Sequence, residues 1–304
     1  MPTRAGDPAS TSVEALLHSG ALRAVFQPIV DLDTAGVVAY EALTRGPAGR
    51  LNDPLALLAS ARDEGLLPEL DDACRSTAVR AVLGQQRSPT TIFLNAEPEA
   101  FTAAPGAAAW EALAQVIAAA RPHLHVVLEI TERDIPARPA TLLRTVDRVR
   151  ELGWGIALDD VGVSAASLAF MPLLAPDVVK LDAALVQRRP SADTGQVAHA
   201  VNDYAERSGA LVLAEGIETA RHLATARALG ARLGQGWLFG HPGERLVTDR
   251  YPGGPAPRNG AEPLPDLLAR RRPAPRPRST GSPASTPFTA LSGDVVLRRR
   301  RRRC

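Results

Sequence analysis

The sequence predicts an α/β fold, a TIM-like (β/α)8 barrel, and three observations carry that prediction. Eight short β-rich runs alternate with longer helical runs between residues 13 and 245. Runs such as Val126-Val127-Leu128 and Leu211-Val212-Leu213 are apolar without alternation, as strands covered on both faces are. Almost every strand delivers an acid, an amide or an amine at or just beyond its C-terminal end, and a barrel gathers such ends on one face, where active sites form. A doubly wound open sheet is the rival architecture, because it also alternates strands with helices.

In chain order, the first strand is expected at Ala24–Val30, where Val25, Phe26, Ile29 and Val30 favour extended backbone, and the second at Val37–Ala42. Helices Pro54–Glu64 and Leu70–Leu83 follow, the first opened by a proline and closed by Gly65. The third strand is Thr91–Asn95, and helix Ala108–Ala120 leads to the fourth, His125–Ile130. Helix Ala140–Leu152 stops at Gly153 before strand Gly155–Asp159, and Val178–Leu181 is the sixth strand. Helix Ser191–Ser208 ends at Gly209, strand Leu211–Ala214 follows, helix Thr219–Leu229 ends at Gly230, and Leu233–Leu238 is the eighth strand. Past Pro242 the pattern stops. Residues 1–12 read as a disordered N-terminal segment, and residues 246–304 as a disordered tail rich in Pro, Gly, Ser and Arg, too poor in apolar surface to offset chain entropy.

Charge is divided along the chain. Residues 246–304 carry 13 arginines against four acids, a local +9 that includes Arg298–Arg303; the chain total of +2 leaves −7 on residues 1–245. An acidic body with a basic tail is not a nucleic-acid-binding surface spread over a fold, so no DNA or RNA partner is expected; a tail contact with anionic membrane or polyanions is the weaker alternative. No uncharged apolar run reaches membrane-span length, Met1–Ser10 carries no apolar signal core, and Cys74 and Cys304 cannot build a disulfide framework. The expected compartment is the cytoplasm.

Of 35 basic residues only Lys180 is a lysine. Arginine presents a wide planar fork and lysine a compact point charge, so a lysine kept in this background marks a need for that ammonium. The bland alternative is a solvated strand-end lysine. Its surroundings decide against that. The strand-end groups run Glu41, Asn95, Glu129, Asp159 with Asp160, Lys180, Glu215 and Gln235. Carboxylates and an amide, without His or Cys, suit hard cations such as Mg2+ or Mn2+. Adjacent aspartates repel unless a cation neutralises them, and acids enough for two ions match two-metal phosphoryl chemistry.

The segments Phe26-Gln27-Pro28-Ile29-Val30, Tyr40-Glu41-Ala42-Leu43-Thr44-Arg45, Leu94-Asn95, Leu128-Glu129-Ile130-Thr131-Glu132, Leu158-Asp159-Asp160, Val179-Lys180-Leu181-Asp182, Ala214-Glu215-Gly216-Ile217-Glu218-Thr219 and Gly234-Gln235-Gly236 resemble the EAL-domain family over roughly residues 13–245. The resemblance implies a metal-dependent phosphodiesterase that linearises cyclic di-GMP to pGpG, on a barrel with its first strand antiparallel, with frequent homodimerisation. By motif it implies that Glu41, Asn95, Glu129 and Asp159 hold one metal and that Asp159 bridges to a second held with Asp160. Lys180 and Glu215 would orient or deprotonate the attacking water, with Gln235 assisting; Arg45 would contact a substrate phosphate and Gln27 face the substrate. Glu132 and Glu218 would brace the loop after Asp160. That loop departs from the family pattern: Val161-Gly162-Val163-Ser164-Ala165-Ala166 lacks the usual Phe, second Gly and Tyr. Because the loop couples dimer contact to the site in the family, a non-hydrolysing cyclic di-GMP receptor or interaction module is the alternative reading.

Overall fold

The structure is a computed structural model that describes residues 12–85, 89–96, 104–120, 123–131, 139–162, 165–189, 191–246 and 264–269. The chain opens with helix α1 (Val13–Ser19), strand β1 (Arg23–Asp31) and strand β2 (Val37–Arg45), followed by helices α2 (Pro54–Glu64) and α3 (Leu67–Leu83). Then come β3 (Thr90–Asn95), α4 (Ala104–Ala119), β4 (Leu124–Thr131), α5 (Pro139–Glu151), β5 (Gly155–Val161), α6 (Ala165–Leu174) and β6 (Val178–Leu181). The barrel is completed by α7 (Ala183–Gln187), α8 (Ala192–Ser208), β7 (Leu211–Ala214), α9 (Ala220–Ala228) and β8 (Leu233–Gln235), and α10 (Leu264–Ala269) lies beyond it.

The eight strands close in sequence order, which excludes the open sheet. Strand β1 runs antiparallel to both of its neighbours, β2 and β8, and all other pairs are parallel. Its reversal follows from a tight β1–β2 turn, in which the Asp31 carboxylate accepts from the amides of Asp33 and Thr34, both at 2.9 Å. Reversal brings the N-terminal half of β1 to the end where the other strands finish.

Two apolar layers hold the barrel. The outer one packs strand residues such as Val126, Leu128 and Ile130 against helix residues such as Ile117, Leu142 and Val146. The inner layer fills the lumen with Ile29, Ala39, Phe93, Val127, Ala157, Val178, Leu213 and Leu233, one from each strand, all buried. Side chains alternate along a strand with period two, so two residues on from each of these the chain points inward again.

Two differences from the sequence reading stand out. Helices α1, α6 and α7 lie where no helix was expected. The segment 264–269, expected within a disordered tail, is helical, and Leu264 is fully buried among the lumen residues. The reason is local: Leu264 and Leu268, one helical turn apart, form an apolar pair that the average composition of 246–304 conceals. No helix among the described residues is long and apolar enough to cross a membrane.

Candidate functional site

The site is the lumen layer directly above the apolar one. Stepping two residues from each inner-layer position, toward the end where the parallel strands finish, gives Glu41, Asn95, Glu129, Asp159, Lys180, Glu215 and Gln235; on the reversed β1 the step runs backward, to Gln27. Pairing register aligns them: Gln27 opposes Glu41, and Asn95 opposes Glu129. Period-two alternation therefore converts eight strand ends into one ring of polar groups.

Lys180 is its hub. With 1% exposure, its Nζ lies 2.6 Å from Glu129 Oε1, 2.8 Å from Asp159 Oδ1 and 2.8 Å from Glu215 Oε1, with Glu41 Oε1 further off at 3.9 Å. An ammonium has three donors and meets three carboxylates at hydrogen-bonding distance. Burial pushes the lysine toward the neutral form, but Asp159, Glu129, Glu215 and Glu41 outweigh it and hold its pKa well above the usual value. One positive charge does not balance this many acids, and the excess shows on the carboxyls. Burial, reinforced by Glu41 and Asp159 against Lys180, raises Glu129 well above the carboxylate range. Burial likewise pushes Glu215 up to about 8, with Asp159 and Glu41 adding to the rise and Lys180 opposing it.

The amides link the ring on its other side. Gln235 Nε2 donates to Gln27 Oε1 at 3.1 Å and to Glu41 Oε2, Asn95 Nδ2 donates to Glu41 Oε1 at 3.3 Å, and Gln27 Nε2 donates to the Gly240 carbonyl at 3.3 Å.

Asp160 shows how neighbouring acids serve one site. In a regular strand it would point away from Asp159. Pairing between β5 and β6 shifts register between Leu158 and Val161, and Asp160 takes φ 57°, a left-handed conformation uncommon outside glycine. One ligand atom from each of Asp159, Asp160 and Glu215 then falls within 4.8 Å of the others. Gly162 follows at φ 113°, where a Cβ would stand 2.4 Å from Leu185 on α7.

This donor set fits divalent cations. Every donor is oxygen, the carboxylates outnumber the internal cation, and Glu129 Oε2 is buried with no hydrogen-bond partner. A buried carboxylate oxygen without a partner costs several times what a satisfied one does, unless a cation meets it.

Other expected residues lie further out. Arg45, half-buried at the end of β2, donates from Nη1 to the Thr44 carbonyl at 2.8 Å and lines a cavity of about 260 Å³ between β2, α2 and α3. Glu218 is exposed and accepts from Gln187 Nε2 at 3.4 Å, outside the acid cluster; the same Nε2 donates to the Gly216 carbonyl at 2.9 Å. Glu132, Val163 and Ser164 lie outside the described residues.

The cavity also holds a group that the sequence reading missed. Arg75 is 3% exposed, pairs with both Asp71 and Asp72 and stacks over the Trp110 ring at 5.0 Å. Asp71 and Arg75 line the cavity beside Leu57, Leu58 and Leu70. Their four-residue spacing on a helix was the available signal, but it does not reveal that this face is buried.

Comparison with known proteins agrees with this architecture. The family profile of the EAL domain matches residues 10–242. Among characterised relatives, the cyclic di-GMP phosphodiesterase NbdA of Pseudomonas aeruginosa is 30% identical over 234 residues, covering 74% of this chain and 29% of NbdA. The cyclic di-GMP phosphodiesterase RocR of the same organism is 29% identical over 236 residues, covering 74% of this chain and 58% of RocR. The chain thus spans less than two thirds of either relative. Klebsiella pneumoniae BlrP1, solved as a complex with calcium and the cyclic dinucleotide, superposes with TM-score 0.66 at 25% identity, covering 74% of this chain and 57% of BlrP1.

Proposed function

The chain belongs to the EAL domain family, and on that premise we propose that it is a metal-dependent phosphodiesterase that hydrolyses cyclic di-GMP to linear pGpG. The observation that carries this reading is the lumen ring itself: three carboxylates converge on a buried Lys180, and one of them, Glu129, keeps an unsatisfied buried oxygen.

Glu41, Asn95, Glu129 and Asp159 would hold one Mg2+ or Mn2+, and Asp159 with Asp160 a second. Bound there, such ions supply Lewis acidity toward phosphate and water. The chain's own groups do the rest. Glu215 would act as the base toward an attacking water, its affinity for a proton raised by burial. Lys180 fixes Glu129, Asp159 and Glu215 relative to one another, so the acids are placed before substrate arrives. Arg45 supplies a guanidinium to the phosphate that is not cleaved, at the edge of the cavity beside β2. That cavity offers a base apolar walls and one charged edge, the Asp71–Arg75 pair. Gln235 closes the floor by donating to Glu41, and Gln27 holds Gln235 by accepting from the same amide. In the net reaction water adds across one P–O3′ bond; its oxygen goes to phosphorus and a proton to the departing 3′ oxygen. The substrate class favours the bacterial cytoplasm, and the family's pairing habit a homodimer.

The second reading, a receptor that binds without hydrolysis, is favoured by the altered 161–166 loop alone. Incubation with cyclic di-GMP and Mg2+ or Mn2+, followed by chromatography for pGpG, separates the two. Release of pGpG supports the enzyme; tight binding without release under either metal supports the receptor.

A further inference from the structure

The lumen has a third level, below the apolar layer and away from the polar ring. Stepping two residues in that direction gives Thr91, His125, Gly155, Leu211 and Ala231, with Asp31 on the reversed β1. Pairing register shows the three levels on neighbouring strands: Thr91 opposes His125, Phe93 opposes Val127, and Asn95 opposes Glu129. A barrel of this kind is a packed core, filled level by level with bulky side chains. This level cannot fill itself. Gly155 has no side chain, Ala231 has a methyl, and Thr91 and His125 are polar. The Asp31 carboxylate is occupied by the Asp33 and Thr34 amides and by Arg232 Nε at 2.7 Å. Of the six residues only Leu211 is a large apolar one.

The missing volume comes from beyond the barrel. Leu264, on α10, is fully buried in one cluster with Ile29, Phe93, Val127 and Leu213, and Leu268, one turn on, packs against the same cluster. A cavity of about 160 Å³ remains beside α10, bounded by Thr91, His125, Val127, Gly155, Pro265 and Leu268. The strands therefore supply no substitute for Leu264 at this end. Above it, Ala39, Phe93, Val127 and Ala157 each stand two residues before Glu41, Asn95, Glu129 and Asp159 on the same strand. A close-packed interior transmits displacement rather than absorbing it, so the fill at the far end bears on the height of the polar ring.

We propose that Leu264 is a positioning residue for the reaction: it completes the lumen from outside the barrel and thereby sets the strands that carry Glu41, Asn95, Glu129 and Asp159. The proposal rests on the phosphodiesterase reading. Leu264→Ala empties volume that no strand residue can refill. Displacement of reacting groups by about 1 Å costs rate up to roughly a hundredfold. Well below its melting temperature the variant should therefore lose at least about fivefold in kcat, with KM for cyclic di-GMP within twofold, and Leu264→Met should recover most of the loss. Leu142→Ala, a truncation in the outer layer, should lower the melting temperature and leave kcat within twofold. Leu268→Ala, at a half-buried position, should shift kcat in the same direction by less, and it serves if Leu264→Ala fails to fold.

A second readout needs neither metal nor turnover. Lys180 is the only lysine, so protein labelled with [ε-15N]lysine gives one side-chain signal, from the hub of the ring. In the metal-free protein that signal should shift in Leu264→Ala and stay in place in Leu142→Ala.

The wild type is assayed first. Absence of both binding and hydrolysis of cyclic di-GMP would overturn the phosphodiesterase reading, and the role in the reaction with it. In an active wild type, a Leu264→Ala variant with kcat within twofold overturns the positioning role alone. So does a fall in kcat that Leu142→Ala matches, or a Lys180 signal that does not move, because α10 would then contribute stability and nothing to the ring.

Discussion

Lys180→Arg preserves charge and alters only the shape of the donor. In the structure one nitrogen serves Glu129, Asp159 and Glu215 from a single point, at 2.6, 2.8 and 2.8 Å. A planar guanidinium spreads its donors over a fork and cannot converge on three carboxylates arranged around one atom. At least one charge-assisted contact is lost, at ~1.5–3 kcal/mol each. If that loss is felt in the transition state, turnover falls roughly ten- to a hundredfold. Because Lys180 is 1% exposed, the added atoms also strain the site, with an overpacking cost of ~1–3 kcal/mol. The assay is initial-rate release of pGpG at saturating cyclic di-GMP with Mn2+, paired with urea unfolding to separate rate from stability. A variant with near-native kcat and an unchanged unfolding midpoint would refute the point-donor argument and leave the lone lysine an accident of composition.

Glu41→Ala should abolish turnover, as should excess chelator, with Mg2+ or Mn2+ restoring the parent but not the variant; circular dichroism should show the barrel intact, and full activity in chelator would remove the metal assignment. In the metal-free protein stability should fall as pH rises from about 4.5 to about 8, because across that window the folded Glu215 holds a proton that the unfolded chain has released. Saturating Mn2+ should flatten that slope, and a pH-independent melting temperature without metal would contradict the carboxylate crowding. Leu264→Ala should lower stability by at least ~2 kcal/mol, and truncation after residue 246 by at least as much. An unchanged urea midpoint in either would show that α10 adds nothing to the lumen core.

Much of this molecule is legible before folding is considered. The eight strands read correctly because a strand covered on both faces is a short apolar run, and the helices between them because Gly65, Gly153, Gly209 and Gly230 all take positive φ where the helical pattern stops. The site reads for the same reason: a polar residue two positions beyond a lumen residue is a parity statement, and parity is a property of sequence. Helices α6 and α7 escaped notice because one is apolar nearly throughout and the other is only five residues long, so neither shows a helical stripe.

What tertiary structure decided depends on residues far apart in the chain. No local pattern places three carboxylates from β4, β5 and β7 around one ammonium on β6, or sets an αL bend at Asp160 so that consecutive aspartates serve one site. Likewise, Leu264 gains its burial from lumen residues that begin at Ile29, so only the closed barrel could reveal that part of an arginine-rich tail belongs to the core. Alternation and turn chemistry are encoded within a few residues; charge balance, cavities and burial are sums over the whole closed barrel.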